Sequence, residues 1–166
     1  MLKKKITKFI ALLLVCSFCI AGCGSKSADN NKKVDMKKLQ ESMLNSVEGL
    51  DKLEVKSSSD SDAKDTFAIL CDMDYDRVDE FFYAYASNAE ADEIAVVRLK
   101  DKSDVAPLME KLQKHVDQRV TTFQEYEPKL VSVIEKAVIT RQGVYVAMII
   151  GEKNGLVQKE FEKCME

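Results

Sequence analysis

The chain has 166 residues, a formal net charge of −3 at pH 7 and 46% hydrophobic residues, a size and composition that suit one globular domain. Its mildly acidic balance argues against nucleic-acid binding, which needs a stripe of basic side chains to displace counterions. The six glycines form no phosphate-cradling loop or dinucleotide fingerprint, so we expect no cofactor.

The first residues have the order of a secretory signal peptide. Four lysines within the first eight residues precede an uncharged, mostly apolar run from Phe9 to Ile20. This run is shorter than the roughly 20 residues that a transmembrane helix needs, and a polar segment follows it. The run Ile20-Ala21-Gly22-Cys23 is similar to the lipobox of bacterial lipoproteins. The resemblance implies a diacylglycerol on the Cys23 thiol and cleavage between Gly22 and Cys23.

We therefore predict a lipoprotein signal peptide over 1–22, a flexible polar tether over 23–34 and a domain over 35–166. Two acyl chains give durable membrane attachment, which places the domain at the extracytoplasmic face of the cell membrane. Cleavage would remove four lysines and no acid, so the net charge would fall to −7. The lipid, rather than charge, would then hold the protein at the membrane.

Cys71 and Cys164 remain in the predicted domain, whereas Cys16 and Cys19 would leave with the signal. Export permits a disulfide, but a spacing of 93 positions matches no disulfide framework and no metal-binding pattern. Two interpretations stay open: buried free thiols, or a bridge that pins the C-terminal helix.

The first half of the domain is predicted to contain two helices and two strands. Apolar residues at three- and four-residue steps indicate a helix from Met36 to Val47 that ends near Gly49. The polar segment 55–63 is predicted as a loop, in which Ser61 or Asp62 caps a short helix over Ala63–Leu70. Two strands, over 78–87 and 88–100, are joined by a turn at 88–91.

The aromatic residues of the first strand are candidate binding residues. Successive side chains of a strand point to opposite faces of a sheet, so Phe81, Tyr83 and Tyr85 share one face and Phe82 lies on the other. One face is expected to be core. The remaining aromatic surface could bind a ligand or stack on sugars, and Phe82, Tyr83 and Tyr85 are the residues that we assign to it.

The second half contains the clearest helix of the chain. Ser103 is predicted to cap an amphipathic helix from Val105 to Phe123, in which apolar residues keep helical spacing. Pro128 then interrupts the backbone and separates this helix from a short one over 129–135.

Two more strands follow around a tight turn at Gln142-Gly143. Apolar side chains on both faces of Val144–Ile150 indicate a central strand that is covered on both sides. An amphipathic helix over 155–163 ends the chain. Because hairpins make antiparallel sheet, the elements predict an α+β fold, a two-layer sandwich of one antiparallel sheet built from two hairpins with amphipathic helices packed on it.

The chain resembles the DUF4358 family, which comprises small lipoproteins of Clostridia-type Gram-positive bacteria with no characterised function. The resemblance rests on the lipobox, on ADEIAVVRLKD (91–101), on FQEYEP (123–128) and on GVYV (143–146), and it extends over roughly 35–162. It implies an extracytoplasmic lipoprotein and brings no catalytic or binding residues. Tyr126 and Tyr145 belong to the shared pattern, and we interpret both as fold-specifying residues with buried rings.

The acidic run DMDYDRVDE (72–80) raises the question of a calcium site, because Asp72, Asp74 and Asp76 have the alternate spacing of the first EF-hand ligands. Arg77 stands where the EF-hand turn needs glycine, and Tyr83 stands where it needs a bidentate glutamate. The motif therefore fails, and no metal is expected. The run is predicted to be a solvated turn.

His115, the one histidine of the chain, is predicted to be an ordinary residue at the edge of the apolar stripe of the long helix. No Ser/His/Asp or Cys/His arrangement can be assembled around it from the sequence.

Two functions remain. The first is a lipid-anchored, non-enzymatic domain that contacts an envelope protein or peptide. The alternative is a small envelope hydrolase that uses carboxylates of the run from Asp72 to Glu80, which needs two acids with different pKa values. Convergence of these carboxylates in a pocket would favour the hydrolase.

Overall fold

The computed structural model describes residues 33–87 and 90–166. The predicted signal peptide, the lipidation site Cys23, most of the tether and part of the turn at 88–91 lie outside these residues. Within them, no helix is both long and apolar enough to span a bilayer.

The described residues form five α-helices and one five-stranded sheet. The helices are α1 (Met36–Asn45), α2 (Ala63–Leu70), α3 (Val105–Tyr126), α4 (Val131–Ile134) and α5 (Asn154–Cys164). The strands are β1 (Glu54–Ser57), β2 (Val78–Tyr85), β3 (Glu93–Leu99), β4 (Val138–Gln142) and β5 (Tyr145–Ile150). Single turns of 3-10 helix lie at Leu50–Lys52, Tyr75–Arg77, Lys102–Asp104 and Pro128–Leu130.

All neighbouring strands of the sheet are antiparallel, in the order β1-β2-β3-β5-β4. The β2–β3 and β4–β5 hairpins confirm the two hairpins predicted from the sequence. β3 lies in the middle of the sheet, and every side chain of β3 and of its neighbour β5 is buried. Strands buried in this way need cover on both faces.

The helices supply that cover from both sides. On one face, residues such as Phe81, Val97 and Met148 pack against α2, α3 and α4, and on the other Phe82 and Ala147 pack against α1 and α5. The predicted α+β class with an antiparallel sheet is confirmed. The arrangement has three layers where the sequence analysis expected two, because one helix layer would leave the apolar side chains of the opposite face in water.

β1 extends the sheet beyond the two predicted hairpins. It pairs with β2 at the edge, where Glu54 lies opposite Tyr85 and Ser57 opposite Phe82. Backbone pairing and the contact of Val55 with the core hold this strand, so an edge position tolerates its polar composition. The loop predicted over 55–63 is therefore wrong for its first three residues.

Other polar contacts replace two predicted helix caps. Asp62 makes no cap bond to α2 and instead accepts a hydrogen bond from Lys56 Nζ at 2.9 Å. Before α3, Ser103 is not the cap: its backbone N–H donates to Asp101 Oδ1 at 2.7 Å. The helices nevertheless begin at Ala63 and Val105, as predicted.

Gly143 and Tyr126 illustrate one confirmed and one wrong local prediction. Gly143 has a φ of +59° in the two-residue turn between β4 and β5, a conformation that glycine adopts without strain. Tyr126 is 79% exposed at the end of α3, so its ring is not buried. Phe123 is the last α3 side chain that reaches the core.

The two cysteines of the domain are free. Cys71 belongs to the core on the α3 face of the sheet, whereas Cys164 packs against the core on the α1 and α5 face. The sheet separates the two thiols, so the disulfide alternative is wrong. Burial raises the pKa of the Cys71 thiol, which keeps it protonated and unreactive.

Candidate functional site

A groove of about 320 Å³ opens at one end of the sheet, on the face covered by α1 and α5. Its walls come from the segment after α1, the start of β3, the end of β5 and the start of α5. The apolar part consists of Val47, Leu50, Leu53, Ile94, Ile149, Ile150 and Val157. Four acids, Glu48, Glu90, Asp92 and Glu152, and one lysine, Lys153, also line it.

The local backbone explains this shape. Gly49, with a φ of +97°, turns the chain after α1 and starts the 3-10 turn that carries Leu50. At the opposite wall, a Cβ on Gly151 would lie 2.7 Å from Asp92 Oδ1. Glycine at this position therefore lets the Asp92 carboxylate lie against the end of β5.

Asp92 is an acid of the groove whose pKa is perturbed. Burial raises the pKa of its carboxyl group, and the charges of Glu90 and Glu152 raise it further. The charged groups that raise the pKa of Asp92 are therefore two neighbouring acids. The groove combines apolar walls with a half-buried negative charge, a combination that suits a ligand with a cationic head and an apolar stem.

A second polar cluster surrounds Glu93 on the α3 face of β3, and only 2% of Glu93 is exposed. His115 Nε2 lies 2.8 Å from Glu93 Oε2, and the Tyr83 hydroxyl donates to the same oxygen at 3.0 Å. Arg119 Nε forms an ion pair with Glu93 Oε1, without the alignment of a hydrogen bond. The cluster therefore satisfies both carboxylate oxygens from α3 and β2.

The contacts of the Glu93 cluster indicate a structural role. The Arg119 guanidinium lies over the Phe123 ring at 4.5 Å, and the Tyr83 and His115 rings meet edge to face at 6.3 Å. Burial and the neighbouring Glu93 carboxylate raise the pKa of Tyr83. None of these residues lines the groove, so the cluster fixes α3 on the sheet.

A third cluster surrounds Arg98 at the other end of β3 and on the other face. Arg98 is 4% exposed; it donates from Nε to Asp79 Oδ2 at 2.6 Å and from Nη2 to Glu80 Oε2 at 2.5 Å. Asp79 and Glu80 are adjacent, and both reach Arg98 because the β2–β3 register shifts between Val78 and Glu80. The hydrogen bond from Arg98 lowers the pKa of the Asp79 carboxyl group.

The third side-chain nitrogen of Arg98, Nη1, contacts the start of the domain. Arg98 Nη1 donates to the Val34 carbonyl oxygen at 3.3 Å and lies 3.4 Å from the Tyr145 hydroxyl oxygen. The Val34 N–H in turn donates to the Tyr145 hydroxyl oxygen at 2.9 Å. Tyr145 is buried, as predicted. Its hydroxyl oxygen accepts hydrogen bonds from the Val34 N–H and from Arg98 Nη1.

The predicted aromatic binding surface is corrected by the burial of its residues. Phe82 is fully buried in the α1 and α5 core, and Tyr83 is buried beside Glu93 on the opposite face. Tyr85 is half-buried, and its ring packs against that of Tyr83 at 5.0 Å. Both faces of β2 are core, because helices lie on each side of the sheet, so Phe82 and Tyr83 form no accessible surface.

The acids of the run 72–80 do not line the groove, and the two that meet, Asp79 and Glu80, do so on the buried Arg98 guanidinium. Lys111 Nζ donates to Asp72 Oδ1 at 2.5 Å, Asp74 accepts the backbone N–H of Asp76 at 3.0 Å, and Asp79 and Glu80 contact Arg98. Within residues 33–87 and 90–166, no group of three or more potential metal ligands is found. The paired acids that a hydrolase would need are not assembled by this run.

Sequence reasoning missed the groove acids, Glu93 and Arg119, and it placed His115 at a boundary, whereas His115 is 7% exposed. One signal was available. In EIAVVRL (93–99) a single acid and a single base flank four apolar residues, and a strand buried on both faces must pair any charge that it carries.

The described residues form an α+β domain that has an acid-lined groove at a sheet end and buried ionic clusters around Glu93 and Arg98. The family model described as "Domain of unknown function (DUF4358)" matches residues 48–151. The match covers more than half of the chain, and the chain belongs to this family. No curated protein and no solved structure matched it.

Replacing Glu93 by Gln should lower the free energy of unfolding by about 2 to 4 kcal/mol, because it leaves buried donors of Tyr83, His115 and Arg119 without their charged acceptor. Urea unfolding of a soluble form that starts at residue 23 and carries Cys23→Ser measures this change. Glu125→Gln makes the same replacement at an exposed α3 position and should change the free energy by less than about 0.5 kcal/mol. Equal effects would contradict a stabilising role for the cluster.

Replacing Asp92 by Asn should stabilise the fold at neutral pH. The raised pKa of Asp92 means that its charge destabilises the folded state above that pKa, and that this penalty vanishes below the unfolded value near 3.8. The gain in the free energy of unfolding should therefore be present at about pH 7 and shrink as the pH falls toward about 3. Asp51→Asn, at an exposed acid outside the groove, is the control. A loss of stability in Asp92→Asn at neutral pH would refute this account.

Proposed function

We propose that this protein is an extracytoplasmic lipoprotein, anchored to the cell membrane by a diacylglycerol on Cys23, whose domain binds an envelope protein or peptide. The support for the anchor is the run from Ile20 to Cys23, which follows four lysines and an apolar segment in the order of a lipoprotein signal. Membership of the family is compatible with this proposal and assigns no activity.

The groove carries the binding part of the proposal. Its single most informative feature is the half-buried Asp92 carboxylate beside Glu90 and Glu152, above apolar walls. A carboxylate whose pKa is raised by burial and by neighbouring acids is a common feature of binding sites, where function is retained at the expense of stability. The charges of Glu93 and Arg98 are paired within the fold and lie outside the groove.

The groove chemistry favours a basic segment of the partner. A Lys or Arg side chain could place its charged head near Asp92 while its methylene stem packs on Leu53 and Ile94. A positive charge on the ligand would offset the mutual repulsion of the groove acids, because it attracts each of the carboxylates. We therefore infer that the partner is a protein or peptide that presents an exposed lysine or arginine.

Replacing Cys23 by Ser should abolish lipidation, because the serine hydroxyl does not replace the thiol as the acceptor of the diacylglyceryl group. In the producing bacterium, the variant should leave the membrane fraction or keep its signal, and mass spectrometry should show no diacylglycerol. Cys19→Ser changes a cysteine that precedes the predicted cleavage point and should leave processing intact. A Cys23→Ser protein of unchanged size in the membrane fraction would argue against the anchor.

Peptide binding tests the groove. We expect a lysine-containing peptide to bind the soluble form that starts at residue 23 and carries Cys23→Ser, and a fully acetylated copy of the peptide to bind more weakly. Asp92→Asn should weaken binding about tenfold, which corresponds to about 1.4 kcal/mol. Asp51→Asn makes the same change in net charge outside the groove and should have a much smaller effect. Isothermal calorimetry at low salt measures both, and equal losses would show that net charge, not the groove, attracts the peptide.

A further inference from the structure

We propose that the first residues of the domain form a clamp which directs the tether out of the Arg98 end of the sheet, so that the groove lies on the side away from the membrane. The clamp consists of Val34, Arg98 and Tyr145. This inference rests on the proposed lipid anchor at Cys23, and it specifies from which side a partner reaches the groove.

The clamp holds the backbone of Val34 on both sides of the residue. Its N–H donates to the Tyr145 hydroxyl oxygen at 2.9 Å, and its carbonyl oxygen accepts from Arg98 Nη1 at 3.3 Å. Lys33 adds an exposed ion pair with Asp79 at 3.8 Å. Arg98 and Tyr145 are 4% and 6% exposed, so the partners of Val34 belong to the rigid core and fix where the chain enters the domain.

Two elements show that the clamp and the groove lie at opposite ends of the domain. In the β3–β5 pair, Arg98 lies opposite Tyr145, whereas Glu93, next to Asp92, lies opposite Ile150. Five steps along β5 from Tyr145 to Ile150, at about 3.3 Å each, separate the two ends by about 17 Å. Helix α1 starts directly after the clamp, and the segment that follows it, Val47–Leu50, forms one wall of the groove.

The tether and the charge distribution agree with this orientation. Ten residues join Cys23 to the clamp, residues 24–33, and they reach at most about 36 Å when extended. This reach sets an upper limit to the distance between the attachment end and the bilayer, and the groove end has no such direct link to the anchor. The acids of the groove would be repelled by an anionic leaflet, which disfavours the inverted orientation. A partner that uses the groove would approach from the envelope rather than from the lipid surface.

Energy transfer to a lipid dye tests the orientation on the full-length, lipidated protein in vesicles of phosphatidylethanolamine and phosphatidylglycerol with a headgroup acceptor. In a Cys71→Ala, Cys164→Ala background, one donor is attached at Gln142→Cys, beside the clamp, and another at Lys52→Cys, beside the groove; both positions are exposed. We expect the Lys52 label to lie farther from the bilayer by about 15 to 20 Å. Equal distances, or a closer Lys52 label, would overturn the proposal.

A matched pair of variants tests the clamp itself. Tyr145→Phe keeps the ring and removes the hydroxyl group that accepts the Val34 N–H, so the difference between the two labels should shrink. Tyr126→Phe removes an exposed hydroxyl group on α3 and should leave the difference unchanged. An unchanged difference in Tyr145→Phe would overturn the clamp. Failure of the wild-type protein to float with the vesicles would instead refute the lipid anchor, and the orientation with it, which separates the two failures.

Discussion

The burial of β3 on both faces is the constraint on which the rest of the structure depends. This strand carries one acid, Glu93, and one base, Arg98, at its two ends, and both are almost fully buried. A buried charge is tolerated only when it is paired and hydrogen-bonded. Because the two residues are five positions apart, they point to opposite faces. Each face of the sheet must therefore supply its own partners.

Those partners determine how the surrounding elements pack. On one face of the sheet, Glu93 contacts His115 and Arg119 of α3. On the other face, Arg98 contacts two acids of β2 and the backbone of Val34, two residues before α1. The apolar stripes of the helices provide most of the favourable burial, whereas the ionic contacts add directional specificity that apolar contacts lack. The Arg98 cluster also links the fold to the proposed membrane anchor, since it holds the first described residues of the domain.

The predictability of this structure from the sequence depended on how local each feature is. Helices α1, α3 and α5 and both hairpins follow from apolar periodicity and from Gly143, which are properties of neighbouring residues. β1 could not be predicted, because its polar residues become a strand only by pairing with β2 at the sheet edge. The predicted caps were wrong for different reasons: Lys56 binds the Asp62 carboxylate, and Ser103 lies inside a 3-10 turn that Asp101 caps.

The candidate site was less predictable than the fold. The aromatic residues Phe82 and Tyr83 stood out in the sequence, but they are core, because a sheet with helices on both faces leaves no open side. Asp92 is one acid among many in the sequence, and its raised pKa results from the meeting of the segment after α1, the β3 start and the β5 end. Gly151 contributes only by lacking a Cβ next to Asp92, which no pattern along the chain reveals.

A pair of double-mutant cycles tests most directly whether the two β3 charges each hold a separate layer. One cycle combines Glu93→Gln with Arg119→Met, and the other combines Glu93→Gln with Arg98→Met. For the first pair, we expect a coupling of more than about 1 kcal/mol in the free energy of unfolding. For the second pair, we expect the two losses to add within about 0.5 kcal/mol. Additive losses for Glu93 and Arg119, or strong coupling of Glu93 with Arg98 across the sheet, would contradict this account.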